Sequence, residues 1–340
     1  MKIFWMFPGQ GSQKPGMARD WYENFQESKL AFEEASDGCS LNLKKIIFEG
    51  TDSDLKSTEI TQPAILTASI AILSGLAQIG PRFSESIVDG EALFGGHSLG
   101  EYTALVAMGV LDLGSAAGIV CERGRFMQEA VPPGKGSMAA LMFRPKTEST
   151  SEKSLEICEK ISSLGDSYKI WVANFNSNEQ IVVSGMKKGI DTLLSTVAEF
   201  SDLGLRKAIE LPVSAPFHCP MMKPAAEKLK PHLVSAKWKL PAQNLSYVAN
   251  VDAKIHEFNS ETNFSLVADR LEKQIVAPVL WVDSIKAAHS MGCQEFVEIG
   301  PGTVLSGLSR KILGEASVQI ENIEGLDTYR KSAEERGIST

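Results

Sequence analysis

The run Gly96-His97-Ser98-Leu99-Gly100 constrains the fold of this chain more than any other, because an apolar strand-like stretch (Ala92, Leu93, Phe94) enters it and a helical pattern leaves it. A serine between glycines at such a junction reads as a nucleophile elbow. The glycines permit a sharp, strained turn that pushes the Ser98 hydroxyl outward, and the amides that follow face the same point at the positive end of a helix. Leu99, Tyr102, Leu105, Val106 and Gly109 fall at helical spacing after the turn, which supplies the context that the pattern needs.

The chain has 340 residues, 43% of them hydrophobic and 22% charged, enough to bury a sizeable core in one large domain or two unequal ones. Ile3-Phe4-Trp5-Met6-Phe7, followed at once by Pro8 and Gly9, is too short and poorly flanked for a signal peptide. No later stretch reads as long and apolar enough to span a bilayer, so a cytoplasmic protein is expected. Five cysteines, at 39, 121, 158, 219 and 293, are odd in number and lack metal-ligand spacing, which points to reduced, mostly buried thiols. The net charge of −8 argues against nucleic acid and against anionic membrane as partners. An acidic partner would need a local basic patch, for which Lys187, Lys188, Arg206, Lys207, Arg310 and Lys311 cluster in the sequence.

Strand-like runs at 3–7, 92–96, 246–251 and 295–299 alternate with helical stretches, an α/β layout. Between about 137 and 212 the rhythm changes to strand, helix, strand, strand, helix, strand, the order of a small ferredoxin-like unit inserted into the larger domain. The boundaries drawn from this are 1–130 and 205–326 for the large domain, 131–204 for the small one, and 327–340 for a solvated terminal helix or frayed tail.

A serine is a weak nucleophile unless a base lies within reach. His232, His256 and His289 have polar surroundings, and the side chain of His97 should diverge from that of its neighbour Ser98. His218, in the proline-rich segment 212–220, is a candidate base, although a loop histidine can also be purely structural. Arg123 sits in the middle of an apolar stripe formed by Ala116, Ile119, Val120, Phe126 and Met127, so it belongs to a buried face. A dry, unpaired guanidinium would cost several kcal/mol, roughly, so a carboxylate should meet it: a fixed Asp or Glu, or a substrate carboxylate held bidentately. Gln10, in the glycine-rich loop 7–13, could lend a donor to an oxyanion hole begun by the Leu99 amide, or the loop could be plain. This loop lacks the Lys-Ser/Thr ending of a phosphate-binding loop.

These residues sit in a longer series: FPGQGSQ at 7–13, ITQPAIL at 60–66, GHSLGEY at 96–102, ERGRFMQEAVPPG at 122–134, VSAPFHCPMM at 213–222, ANVDA at 249–253, QIVAPVLW at 274–281 and EIGPGTVLSGL at 298–308. In this order, and over nearly the whole length, the chain resembles the malonyl-CoA:acyl carrier protein transacylases and the related acyltransferase domains of polyketide synthases. The resemblance implies a hydrolase-like α/β large domain with a parallel-sheet core and an inserted ferredoxin-like subdomain. It implies Ser98 as the acylated nucleophile, His218 as its base, and the backbone amides of Gln10 and Leu99 as the oxyanion hole. Arg123 is implied as the clamp on the malonyl carboxylate, Gln62 and Gln274 as site-lining glutamines, and a main-chain carbonyl at Asn250 as the group that orients the histidine. The activity implied is a ping-pong transfer of malonyl from malonyl-CoA to the phosphopantetheine thiol of holo acyl carrier protein, with no metal or redox cofactor. Phe217, where free-standing members commonly carry a small serine, is more like the malonyl-selective polyketide enzymes. A serine hydrolase or thioesterase on the same elbow, or an inactive carrier-docking module, are the competing readings; Arg123 argues against the first and the intact residue set against the second.

Overall fold

The computed structural model describes residues 1–335 apart from Pro81, Ser214 and Glu315, so Ser214 of the 213–222 motif and residues 336–340 of the expected tail lie outside the described residues. Its strands are β1 (Lys2–Phe7), β2 (Ala92–Gly96), β3 (Gly136–Phe143), β4 (Ile170–Ser177), β5 (Gln180–Met186), β6 (Leu205–Glu210), β7 (Leu245–Val248), β8 (Ile255–Phe258), β9 (Cys293–Ile299) and β10 (Gln319–Ile323). Six form one sheet in the order β10-β9-β1-β2-β7-β8, parallel throughout except for β8.

The central position of β1 explains its unbroken apolar run. Trp5 and Phe7 enter the core on one face together with Phe94, while Phe4 and Met6 enter the core on the other with Leu93. A parallel strand covered on both faces has no solvent side on which to place polar residues. The helix Thr58–Ile79 packs in the first of these cores. By length and composition it could cross a membrane, with a mean hydropathy of 1.6, which corrects the expectation that no stretch qualifies. Inside this fold 83% of that window is buried, so its apolar surface is used by the protein core.

The second sheet is antiparallel, in the order β4-β5-β3-β6, with the helices Thr150–Ser162 and Lys187–Ser195 completing the inserted ferredoxin-like unit. β6 pairs with β3, so the boundary expected at 204 cuts off the last strand of this unit. The expected terminal helix is present as Leu326–Glu335, but it is docked rather than solvated, burying Leu326, Tyr329 and Ala333 with Tyr329 against Trp21. The helical stretch after the elbow is two helices, Leu99–Ala107 and Leu113–Glu129, separated by a turn that contains Gly109 in the left-handed region.

The elbow helix sits directly on the end of β1. A Cβ at Gly100 would lie 2.0 Å from the Phe7 carbonyl oxygen, an approach that only glycine allows. Gly100→Ala should therefore destabilise the protein by about 1–3 kcal/mol or more, since backbone has to move. Gly307, in the helix Val304–Leu313 with open space where a methyl group would project, is the control: Gly307→Ala should stabilise by about 0.5–1 kcal/mol. Urea unfolding of the two variants checks both signs.

Candidate active site

Ser98 bridges β2 and the elbow helix with φ 53° and ψ −104°, a strained conformation for a residue with a side chain. Asn250, just beyond the neighbouring strand β7, holds it there. The Asn250 side chain accepts from the Ser98 amide at 2.7 Å and donates to the Gly96 carbonyl at 2.7 Å, bracketing the turn.

His218 reaches Ser98 from the far side of the sheet connection, with Nε2 2.8 Å from Oγ. Its Nδ1 lies 2.8 Å from the main-chain carbonyl of Gln274. A carbonyl can only accept, so the proton sits on Nδ1 and Nε2 is left as the acceptor for the serine hydroxyl. This corrects the orienting role expected of the Asn250 carbonyl, which instead accepts from the Leu280 amide at 3.0 Å. The reason lies in the end of the helix Phe264–Val276: the residue four beyond Gln274 is Pro278, which has no N–H, so the Gln274 carbonyl is free for the imidazole.

Arg123 is 1% exposed. It approaches the site because Gly124 lets the helix Leu113–Glu129 close on the first turn of Thr58–Ile79; a Cβ there would stand 2.4 Å from the Thr58 carbonyl oxygen. One terminal nitrogen of the guanidinium donates to Gln62 Oε1 at 2.7 Å, and the other to Gln274 Oε1 at 2.8 Å and to Ser98 Oγ at 3.0 Å. Among the described residues it makes no ion pair. The fixed carboxylate partner considered for it is thus replaced by two neutral amide oxygens. An acid within the same network is Glu101, fully buried, whose Oε2 accepts from Gln274 Nε2 at 2.8 Å and from the Asn250 amide at 3.1 Å. Burial pushes the Glu101 carboxyl up to about 7, with those two hydrogen bonds pulling the other way. Burial first, and the Arg123 charge second, press His218 down to about 3, so the resting imidazole is neutral.

Ser98 opens into a cavity of about 110 Å³ that Gln10, Leu99, Gln62, Arg123, Phe217 and His218 help to line. Leu99 is the first residue of the elbow helix, where an N–H has no intrahelical acceptor, and Gln10 lies in the loop directly after β1. Chemically the arrangement offers a nucleophile with a neutral base and a cation beside the reacting oxygen, with Gln10 and Leu99 in the same cavity wall. The sequence reading did not reach Glu101, nor Met127, Met138, Asn174, Leu211 and Val213 in the cavity wall. His97 lines the same cavity but is engaged elsewhere, with Nε2 2.9 Å from Asn176 Oδ1. His232, His256 and His289 lie outside the cavity.

The model of the acyl transferase domain family matches residues 4–333. The malonyl CoA-acyl carrier protein transacylase of Bacillus subtilis (strain 168) is 39% identical over 311 residues, 92% of this chain and 90% of that protein. The crystal structure of malonyl CoA-acyl carrier protein transacylase from Clostridium perfringens is similar with a TM-score of 0.84 and 34% identity, covering 99% of this chain and 98% of that one. A type II PKS acyl-carrier protein in complex with its malonyl-transacylase provides another neighbour, with a TM-score of 0.82, 32% identity, and coverage of 98% of this chain and 100% of that one. Matched over nearly its whole length in both sequence and fold, the chain belongs to the acyl transferase family and is an acyltransferase.

Proposed function

We propose that this acyltransferase moves a malonyl group from malonyl-CoA to the phosphopantetheine thiol of a holo acyl carrier protein through a malonyl-Ser98 intermediate, supplying extender units for fatty acid synthesis. The observation that carries the reading is the Arg123 fork, buried 3.0 Å from Ser98 Oγ and held by neutral amides, which an acyl group ending in a carboxylate would complete. The likeness to a transacylase bound to a type II PKS carrier, together with Phe217 in the cavity, supports service to a polyketide pathway as the second reading.

In the first half-reaction Ser98 Oγ attacks the thioester carbonyl as its proton passes to His218 Nε2. The oxyanion meets the amides of Gln10 and Leu99, and collapse returns the proton to the departing CoA thiol. In the second, the carrier thiol gives its proton to His218 and attacks the malonyl ester, and Ser98 recovers its own proton. The Gln274 carbonyl keeps the imidazole in register for both transfers. The acyl carboxylate offsets the Arg123 charge that holds His218 neutral, so a proton is easier to keep on the imidazole once substrate is in place.

The carrier, as an acidic partner, needs positive charge on the surface. Lys187 faces Asp191 and Glu210, and Lys311 lies 3.8 Å from Glu179. Arg206 and Lys207 are exposed on the edge strand β6, which runs toward cavity residue Leu211 and supports placing the docking face there. The five cysteines are free thiols, which suits a reducing compartment and supports a cytoplasmic setting for this activity.

Incubation with malonyl-CoA and holo carrier, followed by intact-mass measurement, should give a malonyl adduct on the chain and then on the carrier; Ser98→Ala should give neither. An adduct surviving on the variant would remove Ser98 as the nucleophile. Arg123→Ala should cripple malonyl transfer while sparing acetyl transfer, and Arg123→Lys should rescue poorly because a point charge lacks the planar two-donor fork. Equal loss of both activities would count against a carboxylate clamp. Because His218 is held near 3, it stays competent as a base well below the ordinary histidine pKa. With malonyl-CoA well below KM, where the unliganded site sets the titration, acylation of Ser98 should therefore lose nothing to His218 protonation between pH 7 and 5, where an imidazole titrating at about 6.5 would cost about 25-fold. Rapid-quench acylation rates across that range decide it.

A further inference from the structure

Glu101 is fully buried behind the site and touches neither Ser98 nor His218 by any side-chain hydrogen bond, yet one of its oxygens serves two residues that do. Oε2 accepts from Gln274 Nε2 and from the Asn250 amide, while Oε1 has no partner among the described residues. An amide side chain can rotate by half a turn and exchange its donor for its acceptor at little steric cost. Arg123 is a pure donor, so Gln274 is useful to it only with Oε1 facing the guanidinium. Two acceptors on the opposite side of the amide enforce that choice: the Ser98 main-chain carbonyl, which takes Gln274 Nε2 at 2.9 Å, and Glu101 Oε2 at 2.8 Å, which can accept whether the carboxyl is ionised or protonated.

We propose that Glu101 is a positioning residue for acyl selectivity: by holding Gln274 Nε2 it keeps Gln274 Oε1 on Arg123, and so fixes the guanidinium where an acyl carboxylate meets it. This rests on the reading of the site as a malonyl transferase. Glu101 carries no proton in the reaction and contacts no substrate. Without it, Gln274 Nε2 keeps only the Ser98 carbonyl as a close acceptor, the amide is held at one point in place of two, and the guanidinium is less firmly fixed beside Ser98.

The test is the ratio of malonyl to acetyl transfer, each as kcat/KM, because a ratio cancels the folded fraction of a damaged variant. Glu101→Ala should lower it about tenfold, mainly through a higher KM for malonyl-CoA. Glu101→Gln, which keeps an acceptor oxygen on the same stem, should restore it to within about threefold of the parent. If Glu101→Ala gives no folded protein, Glu101→Asp withdraws the acceptor by one methylene and should lower the ratio in the same direction. An unchanged ratio in the folded variants, or the same loss in Glu101→Gln as in Glu101→Ala, overturns the role. The unsubstituted protein separates the two levels: if it takes no malonyl on Ser98, the functional reading fails, whereas an adduct with an unaltered ratio in the variants removes Glu101 alone.

Discussion

A guanidinium buried next to a serine, with amide oxygens in place of a carboxylate, is the interaction on which the rest of this site depends. Removing Arg123 from water costs several kcal/mol, roughly, and a fixed Asp or Glu would offset most of that. It would also fill the fork. Gln62 and Gln274 give the cation two strong dipoles without consuming its charge, so the group stays attractive to an incoming anion. Burial without neutralisation is tolerable only where the surrounding structure is rigid. Gly124, which allows two core helices to meet at backbone contact, supplies that rigidity one residue from the charge.

The same cation shapes the acid–base chemistry next to it. His218 is fully enclosed and feels Arg123, both of which disfavour the imidazolium, and the compensation comes from main-chain groups, Gln274 first and then Ala277. An acidic third member at that position would raise the basicity of the imidazole and also pair with Arg123 through the shared site. A carbonyl orients the ring and leaves the electrostatic balance to be set by what binds. Gln274 therefore has two separate duties, its backbone oxygen on His218 and its side-chain oxygen on Arg123. Its placement at the end of a helix, four residues before a proline, makes the first duty possible.

The large features are legible in the sequence because they rest on local patterns with strong physical causes. The Gly-x-Ser-x-Gly turn, the central strand 2–7 and the inserted βαββαβ unit are in place, as is the burial of Arg123 deduced from its apolar stripe. β8 and β10 escape a sequence reading because edge strands are short and partly exposed, so neither shows a clear apolar alternation. The last strand of the small unit is legible as a strand within 137–212, yet the boundary drawn at 204 leaves it outside, and its pairing with β3 is what assigns it to the small sheet. The partner of His218 is hidden for a different reason: a main-chain carbonyl has no side-chain signature.

Glu101 is within reach of the same helical geometry that buries Arg123. It lies four residues from Leu105 and next to Tyr102 on the elbow helix, about 40° from the former, so its side chain shares the buried face. Two ionisable groups on apolar faces of separate helices, in segments that both lead to the nucleophile, point to one shared network across the site. The Glu101 carboxyl lies one amide away from Arg123 with Gln274 interposed as the dipole between them, and because burial pushes that carboxyl up to about 7 it does not neutralise the guanidinium outright. That interposition is what distinguishes a clamp from a salt bridge: direct contact would quench the cation, whereas a mediating amide stabilises it and leaves its remaining donors facing the cavity.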